Sequence, residues 1–192
     1  MGSRINNSAR NVIGPLVLDD GLILEDVAMP YKTYLELYKK LLINLLVKSK
    51  GINYVKANYI WWKSTLKFNP EMYKYMVELN TKSKYGQYIL LNRNPTINVG
   101  SILRLRIKII KQDYNDNILQ ISNNILSSLN ADFDGDVLNI VPLFNKHLID
   151  TFECFSPYKL MINANSGKFS SDFSLEKEQK IGLFILNNEI PE

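Results

Sequence analysis

Hydrophobic and polar positions alternate differently in different parts of this chain, and the changes of period mark its elements. Val12 to Leu18 is a continuous apolar run that predicts a buried strand, and Asp19-Asp20-Gly21 predicts the turn after it. From Pro30 the period becomes helical: Tyr34, Leu35, Tyr38, Leu41, Leu42, Leu45 and Leu46 fall on one face, lysines lie between them, and Gly51 is placed to stop the helix. Ile52 to Phe68 has no clear period. If extended, it would put Trp61 and Trp62 on opposite faces, one of them in the core or at a subunit contact. Asn69-Pro70-Glu71 starts a second helix of about ten residues, with proline at its tolerated first position.

The second half reads mainly as strands. Tyr88 to Asn92 is one, and Ile102 to Ile110 another, where Leu103, Leu105 and Ile107 alternate with Arg104, Arg106 and Lys108. That pattern describes a half-buried strand with a basic outer face able to meet phosphates or simply water. Asp113 to Asn117 predicts a turn, with strands at Ile118 to Ile125 and Val137 to Leu143. Lys146 to Cys154 and Leu175 to Leu186 predict helices, and Asn163 to Gly167 a connecting loop.

Composition narrows the class without deciding it. With 192 residues, 46% of them hydrophobic, the chain can bury a sizeable core. A formal net charge of +4 is compatible with nucleic acid but does not by itself indicate it. The single cysteine, Cys154, and single histidine, His147, exclude an internal disulfide and a Cys/His zinc set, which suits a reducing compartment such as the cytoplasm. The apolar run Leu41 to Val47 is too short to span a bilayer. Residues 1–4 begin with Met1-Gly2-Ser3, which reads as a vector-derived tail without a targeting signal.

The chemistry is concentrated in Asn130-Ala131-Asp132-Phe133-Asp134-Gly135-Asp136. Three carboxylates at alternate positions of an extended segment would share a face, with Phe133 anchoring the other side and Gly135 supplying a positive φ. Carboxylates this close repel one another, and a hard divalent cation such as Mg²⁺ removes that cost. A calcium EF-hand is excluded because Val137 and Leu143 occupy the positions that need Gly and Glu, counted from Asp132. A solvated acidic turn is the plain alternative. Another is the D-x-D-G loop of aspartate-nucleophile phosphatases, which should follow a continuous apolar strand; the half-polar Ser127 to Ala131 fits it poorly, and so does Asp136.

Asn130 to Asp136 matches, letter for letter, the N-A-D-F-D-G-D signature of the largest (β′-type) subunit of multisubunit DNA-directed RNA polymerases, and the chain resembles that family in two further blocks. Ser8 to Ile13 is similar to its G-[AR]-[RS]-[TS]-V-I strand, and Leu91 to Ile97 to its N-R-Q-P-T-L segment. Asn94, Asn98, Asn11 and Gly14 depart from the usual residues, and Asn98 replaces a histidine.

The resemblance implies an α+β chain built on a mainly β core. This would be a double-psi β-barrel over residues 5–145, with a helical insertion at about 30–85 and a helical extension over 146–192. It further implies that Asp132, Asp134 and Asp136 hold Mg²⁺ for two-metal transfer of a nucleotide from NTP to an RNA 3′ hydroxyl. Arg93, Asn130 and Pro95 would contact the incoming nucleotide, and Arg10 nucleic acid. The implied partners are the second-largest (β-type) subunit, the remainder of the largest subunit, the DNA template and the RNA product. Alone, the chain should be inactive. A barrel that has lost catalysis is the rival within the family. Abundant Asn, Lys and Ile, with the divergence, suit an A/T-rich viral, phage or plasmid source.

Overall fold

A computed structural model describes residues 7–17, 21–82, 87–162, 167, 168 and 170. Its centre is a closed barrel of six strands: β1 (Ala9–Pro15), β2 (Asp26–Met29), β3 (Gln87–Asn92), β4 (Ile102–Ile110), β5 (Leu119–Ile121) and β6 (Val137–Leu143). Around the barrel they run β1-β5-β2-β4-β3-β6. The β1/β5 and β2/β4 pairs are parallel and the other four antiparallel. Closure leaves no strand edge unpaired and gives the α+β double-psi architecture.

β1 changes partner along its length. Ala9 to Val12 pair with β6 and Ile13 to Pro15 with β5, so the strand begins earlier than the apolar run suggested. Its buried Asn11 is satisfied: its side-chain amide donates to the Asn117 carbonyl at 2.8 Å, and its oxygen accepts from the Thr33 hydroxyl at 3.0 Å. Gly14 is required by contact, since a Cβ there would lie 2.6 Å from Ile118 Cγ2.

Four helices stand between β2 and β3: α1 (Tyr31–Leu37), α2 (Lys39–Lys50), α3 (Tyr54–Leu66) and α4 (Pro70–Lys82). The single helix predicted from Pro30 to Gly51 is broken at Tyr38, whose ring stacks on Tyr34 at 4.4 Å between centroids and meets Phe144 edge-on. Gly51 ends α2 in the left-handed region, φ 62°. Ile52 to Phe68, ambiguous by period, is mostly helix α3, capped by the Asn53 side chain. Trp61 and Trp62 therefore lie about 100° apart rather than on opposite faces. Trp61 is buried and donates its indole N–H to the Leu35 carbonyl, whereas Trp62 is exposed. Asn69 caps α4 through the backbone N–H groups of Glu71 and Met72.

The basic outer face expected on β4 is largely absent. Arg104 is buried against Glu25, and the half-buried Arg106 pairs with the fully buried Asp26 at 2.7 Å, so both guanidiniums are paired with the chain's own carboxylates and only Lys108 of the three is exposed. The strand expected over Ile118 to Ile125 stops at Ile121. Ser122 accepts from the Asn124 backbone N–H and starts a 3-10 turn (Asn123–Ile125) leading into the short helix α5 (Leu126–Leu129). After β6 come α6 (Lys146–Thr151), a 3-10 turn over Phe152–Phe155 and α7 (Pro157–Leu160), so the predicted helix over Lys146 to Cys154 is shorter. The Leu175 to Leu186 prediction lies outside the described residues, as do Leu18 of the first predicted strand, Asp19 and Asp20 of the turn after it, and residues 163–166 of the connecting loop. Barrel strands and inserted helices share one continuous core, from Leu91 and Leu105 in the barrel to Leu42 and Met76 in the helices.

Candidate active site

The acidic loop crosses one end of the barrel between α5 and β6. It is a turn through Phe133, Asp134 and Gly135 rather than an extended segment, with Gly135 at φ 115°. Its entry is set by Asn130, which ends α5 in the left-handed conformation (φ 51°, ψ 43°), a position that asparagine tolerates better than most residues. Ala131 N–H closes on the Leu126 carbonyl at 3.1 Å. Phe133 packs against the core, and Asp132 and Asp134 are exposed. The exit is held at β1, where Ile13 N–H donates to the Asp136 carbonyl at 3.1 Å.

Arg93 approaches from the end of β3. Its backbone N–H donates to the Ser101 carbonyl at 3.1 Å, and the adjoining Gly100 lies so close to Ser128 of α5 that a Cβ would meet it at 3.1 Å. That contact fixes the Arg93 segment relative to the acidic loop. Arg93, Ser127, Asn130, Ala131, Asp132, Asp134 and Asp136 line one open cleft of about 660 Å³. The sequence reading singled out five of these; Ser127 and Ala131 it did not, and Ser127 carries no signal in a half-polar stretch. Pro95 is not in this lining and stands exposed on the connection after Arg93. Arg10 lines a separate cleft with Asn92, Asn94 and Asn139; Asn139 of β6 stands opposite Arg10 on one side and Asn92 on the other.

Within the aspartate cleft, Asp136 Oδ2 accepts from the Asp132 backbone N–H at 3.0 Å and from Arg93 Nε at 3.1 Å. Asp132 Oδ1 accepts from the Phe133 N–H at 2.7 Å. The Asp132 N–H holds the Asp136 carboxyl below the usual carboxylate range, burial pulls the other way, and Arg93 adds to the lowering. A depressed folded value means that this carboxylate favours the folded loop above its unfolded pKa of about 3.9, and that the contribution disappears as pH falls through the lower folded value. Carbon-detected NMR titration of Asp136 should give a midpoint below that of a free aspartate, and Arg93→Ala should raise it only part of the way. A midpoint at or above the free value would contradict the geometry.

Among the described residues, no three acidic, histidine or cysteine side chains are already gathered around a point that could hold a metal ion. The cleft nonetheless suits a hard divalent cation in ligand type: three carboxylates in a polar lining, with Asp132 and Asp134 exposed. Phosphatase geometry fits less well, because the loop follows the helical turn α5 instead of the end of a parallel strand.

Residues 2–147 match the family RNA polymerase Rpb1, domain 2. Among curated proteins, the chain is 30% identical over 99% of its length to the DNA-directed RNA polymerase subunit β′ of Karelsulcia muelleri, covering 12% of that protein. It is 26% identical over 99% of its length to the β′ subunit of Plasmodium falciparum, covering 31% of it. To the β′ subunit of Gnetum parvifolium it is 24% identical over its whole length, covering 24% of it. The chain thus spans under a third of these relatives. The match extends across β1, the Arg93 segment and the acidic loop together, and the chain belongs to the RNA polymerase Rpb1, domain 2 family, part of the largest-subunit line of DNA-directed RNA polymerases.

Proposed function

We propose that this chain supplies the catalytic centre of a DNA-directed RNA polymerase largest subunit and acts only when joined to the second-largest subunit, the rest of the largest subunit, a DNA template and an RNA end. The observation that carries this reading is the convergence on one cleft of two separate segments of the chain, Arg93 after β3 and the loop that carries Asn130 and the three aspartates. Asp132, Asp134 and Asp136 would hold Mg²⁺ there, with Asp136 turning from or sharing its contact with Arg93. When bound, Mg²⁺ would supply a Lewis acid there that lowers the pKa of the RNA 3′ hydroxyl, and a second ion carried by the NTP would stabilise charge on the departing pyrophosphate.

The chain's own residues orient the reactants. Arg93, held at its backbone by Ser101, presents a fixed fork of donors, and Asn130, set at the α5 terminus, offers a donor and an acceptor. Both suit the ribose hydroxyls of an incoming nucleotide, which is how a ribonucleotide is told from a deoxyribonucleotide. In a second cleft, Arg10 stands with Asn92, Asn94 and Asn139, donors suited to the nucleic-acid backbone, beside the apolar Ala9 and Val141.

Arg93→Ala tests the assignment. In the assembled enzyme, the preference for NTP over dNTP should fall about tenfold or more, because a donor that engages only the 2′-hydroxyl side is lost. An unchanged preference in single-nucleotide addition would remove Arg93 from the site.

A further inference from the structure

We infer that the outward face of α3 docks an amphipathic helix of another polypeptide in the assembly, apolar along its centre and carrying Asp and Glu along one flank. The inference rests on the chain working inside a larger polymerase.

At 100° per residue, Val55, Tyr59, Trp62 and Leu66 fall within a stripe about 60° wide. The buried face of the same helix, Ala57, Trp61 and Ser64, lies opposite. The stripe thus occupies the side of α3 that should be polar, since an amphipathic helix turns its apolar face to its own core. These four side chains are 77%, 53%, 49% and 59% exposed. Single exposed apolar residues need no explanation, but four at i, i+4, i+7 and i+11, about 16 Å end to end, have the spacing that a facing helix reads. Tyr59 and Trp62 sit at the middle with ring centroids 6.0 Å apart, and these two residue types most often anchor interfaces.

Charge identifies the occupant. α3 contains no acidic residue. Lys56 and Lys63 lie along one edge of the stripe, with Lys63 Nζ 5.4 Å from the Tyr59 ring centroid. The other edge carries Tyr54, Asn58 and Thr65 and is uncharged. A partner helix with carboxylates on the lysine side is therefore complementary. A second copy of this face would offer no carboxylate to those lysines. A single-stranded nucleic acid would find rings to stack on at Tyr59 and Trp62 but only aliphatic surface at Val55 and Leu66.

A photo-crosslinking amino acid in place of Tyr59 tests this in the chain assembled with the second-largest subunit and the rest of the largest subunit. The crosslink is read by mass spectrometry in an Asp134→Ala background, so it does not depend on catalysis, and the catalytic reading can fail without it. The expected product joins α3 to an acidic, helical segment of another polypeptide. Crosslinks to RNA or DNA, to a second copy, to this chain's own residues, or to nothing would overturn the inference. In parallel, Trp62→Glu should weaken association with the rest of the assembly by about 30-fold or more, while the melting temperature of the chain alone stays unchanged. Unaltered association, or a melting temperature lowered by several degrees, would also overturn it.

Discussion

Asp134→Ala is expected to lower template-dependent RNA synthesis by the assembled polymerase at least about a thousandfold. The estimate follows from losing roughly 4 kcal/mol of metal-borne stabilisation at the transition state, at 1.36 kcal/mol per tenfold. Among the three aspartates this one gives the cleanest experiment. Asp136 holds Arg93 and the Asp132 N–H, and Asp132 bonds the next backbone N–H, so changing either disturbs the loop as well as its chemistry. Asp134 is exposed at the tip of the turn, with Gly135 beside it providing the positive φ. Its replacement should move folding stability by no more than about 0.5 kcal/mol. Loss of synthesis with an unchanged melting curve would therefore report chemistry, and activity close to wild type would reject the metal role of the loop.

Arg104→Met should destabilise the chain by about 3–5 kcal/mol, the typical cost of leaving a buried charge without its partner. The Arg104 and Glu25 side chains are each only 9% exposed, with Nη2 3.8 Å from Glu25 Oε1. Nη1 donates to the Ile149 carbonyl at 3.1 Å, and the guanidinium lies over the Tyr88 ring at 4.6 Å. Ser156 Oγ donates to the same Glu25 carboxylate. One buried cluster thus ties the approach to β2, strand β4, helix α6 and the start of α7 together.

For a chain of this size, a loss of that magnitude lowers the melting temperature by about 10 °C. Adding Glu25→Leu should recover most of it, since replacing both charges with apolar groups removes the uncompensated carboxylate. A single variant within about 1 kcal/mol of wild type, or a double variant no better than the single, would show that the cluster is not a coupled pair.

Much of this was legible from residue patterns, and the failures have physical causes. Ile102 to Ile110 and Val137 to Leu143 are strands over those residues because alternation and β-branching there agree with two-sided packing. The same alternation misassigned Arg104 and Arg106, because period alone cannot show that Glu25 and Asp26 stand beside them to pair with both and bury the first. Ile118 to Ile125 reads as one strand by composition, but the Ser122 side chain captures a backbone N–H and diverts the chain into a helical turn. Tyr54 to Leu66 has no clean period for a reason visible only in three dimensions: α3 is apolar on two opposite faces, one toward the core and one outward. At the site, the signature residues were readable as a set. Their arrangement was not, since the pairing of Arg93 with Asp136 joins residues far apart in the chain and depends on the close approach of Gly100 to Ser128.

The most direct test of the account is the position of a divalent ion in the assembled enzyme with an RNA end bound. Mn²⁺ substituted for Mg²⁺ and located by anomalous scattering should give a peak within coordination distance of one oxygen each of Asp132, Asp134 and Asp136. A peak held by other residues, with those carboxylates still turned apart and Asp136 still closed on Arg93, would contradict it.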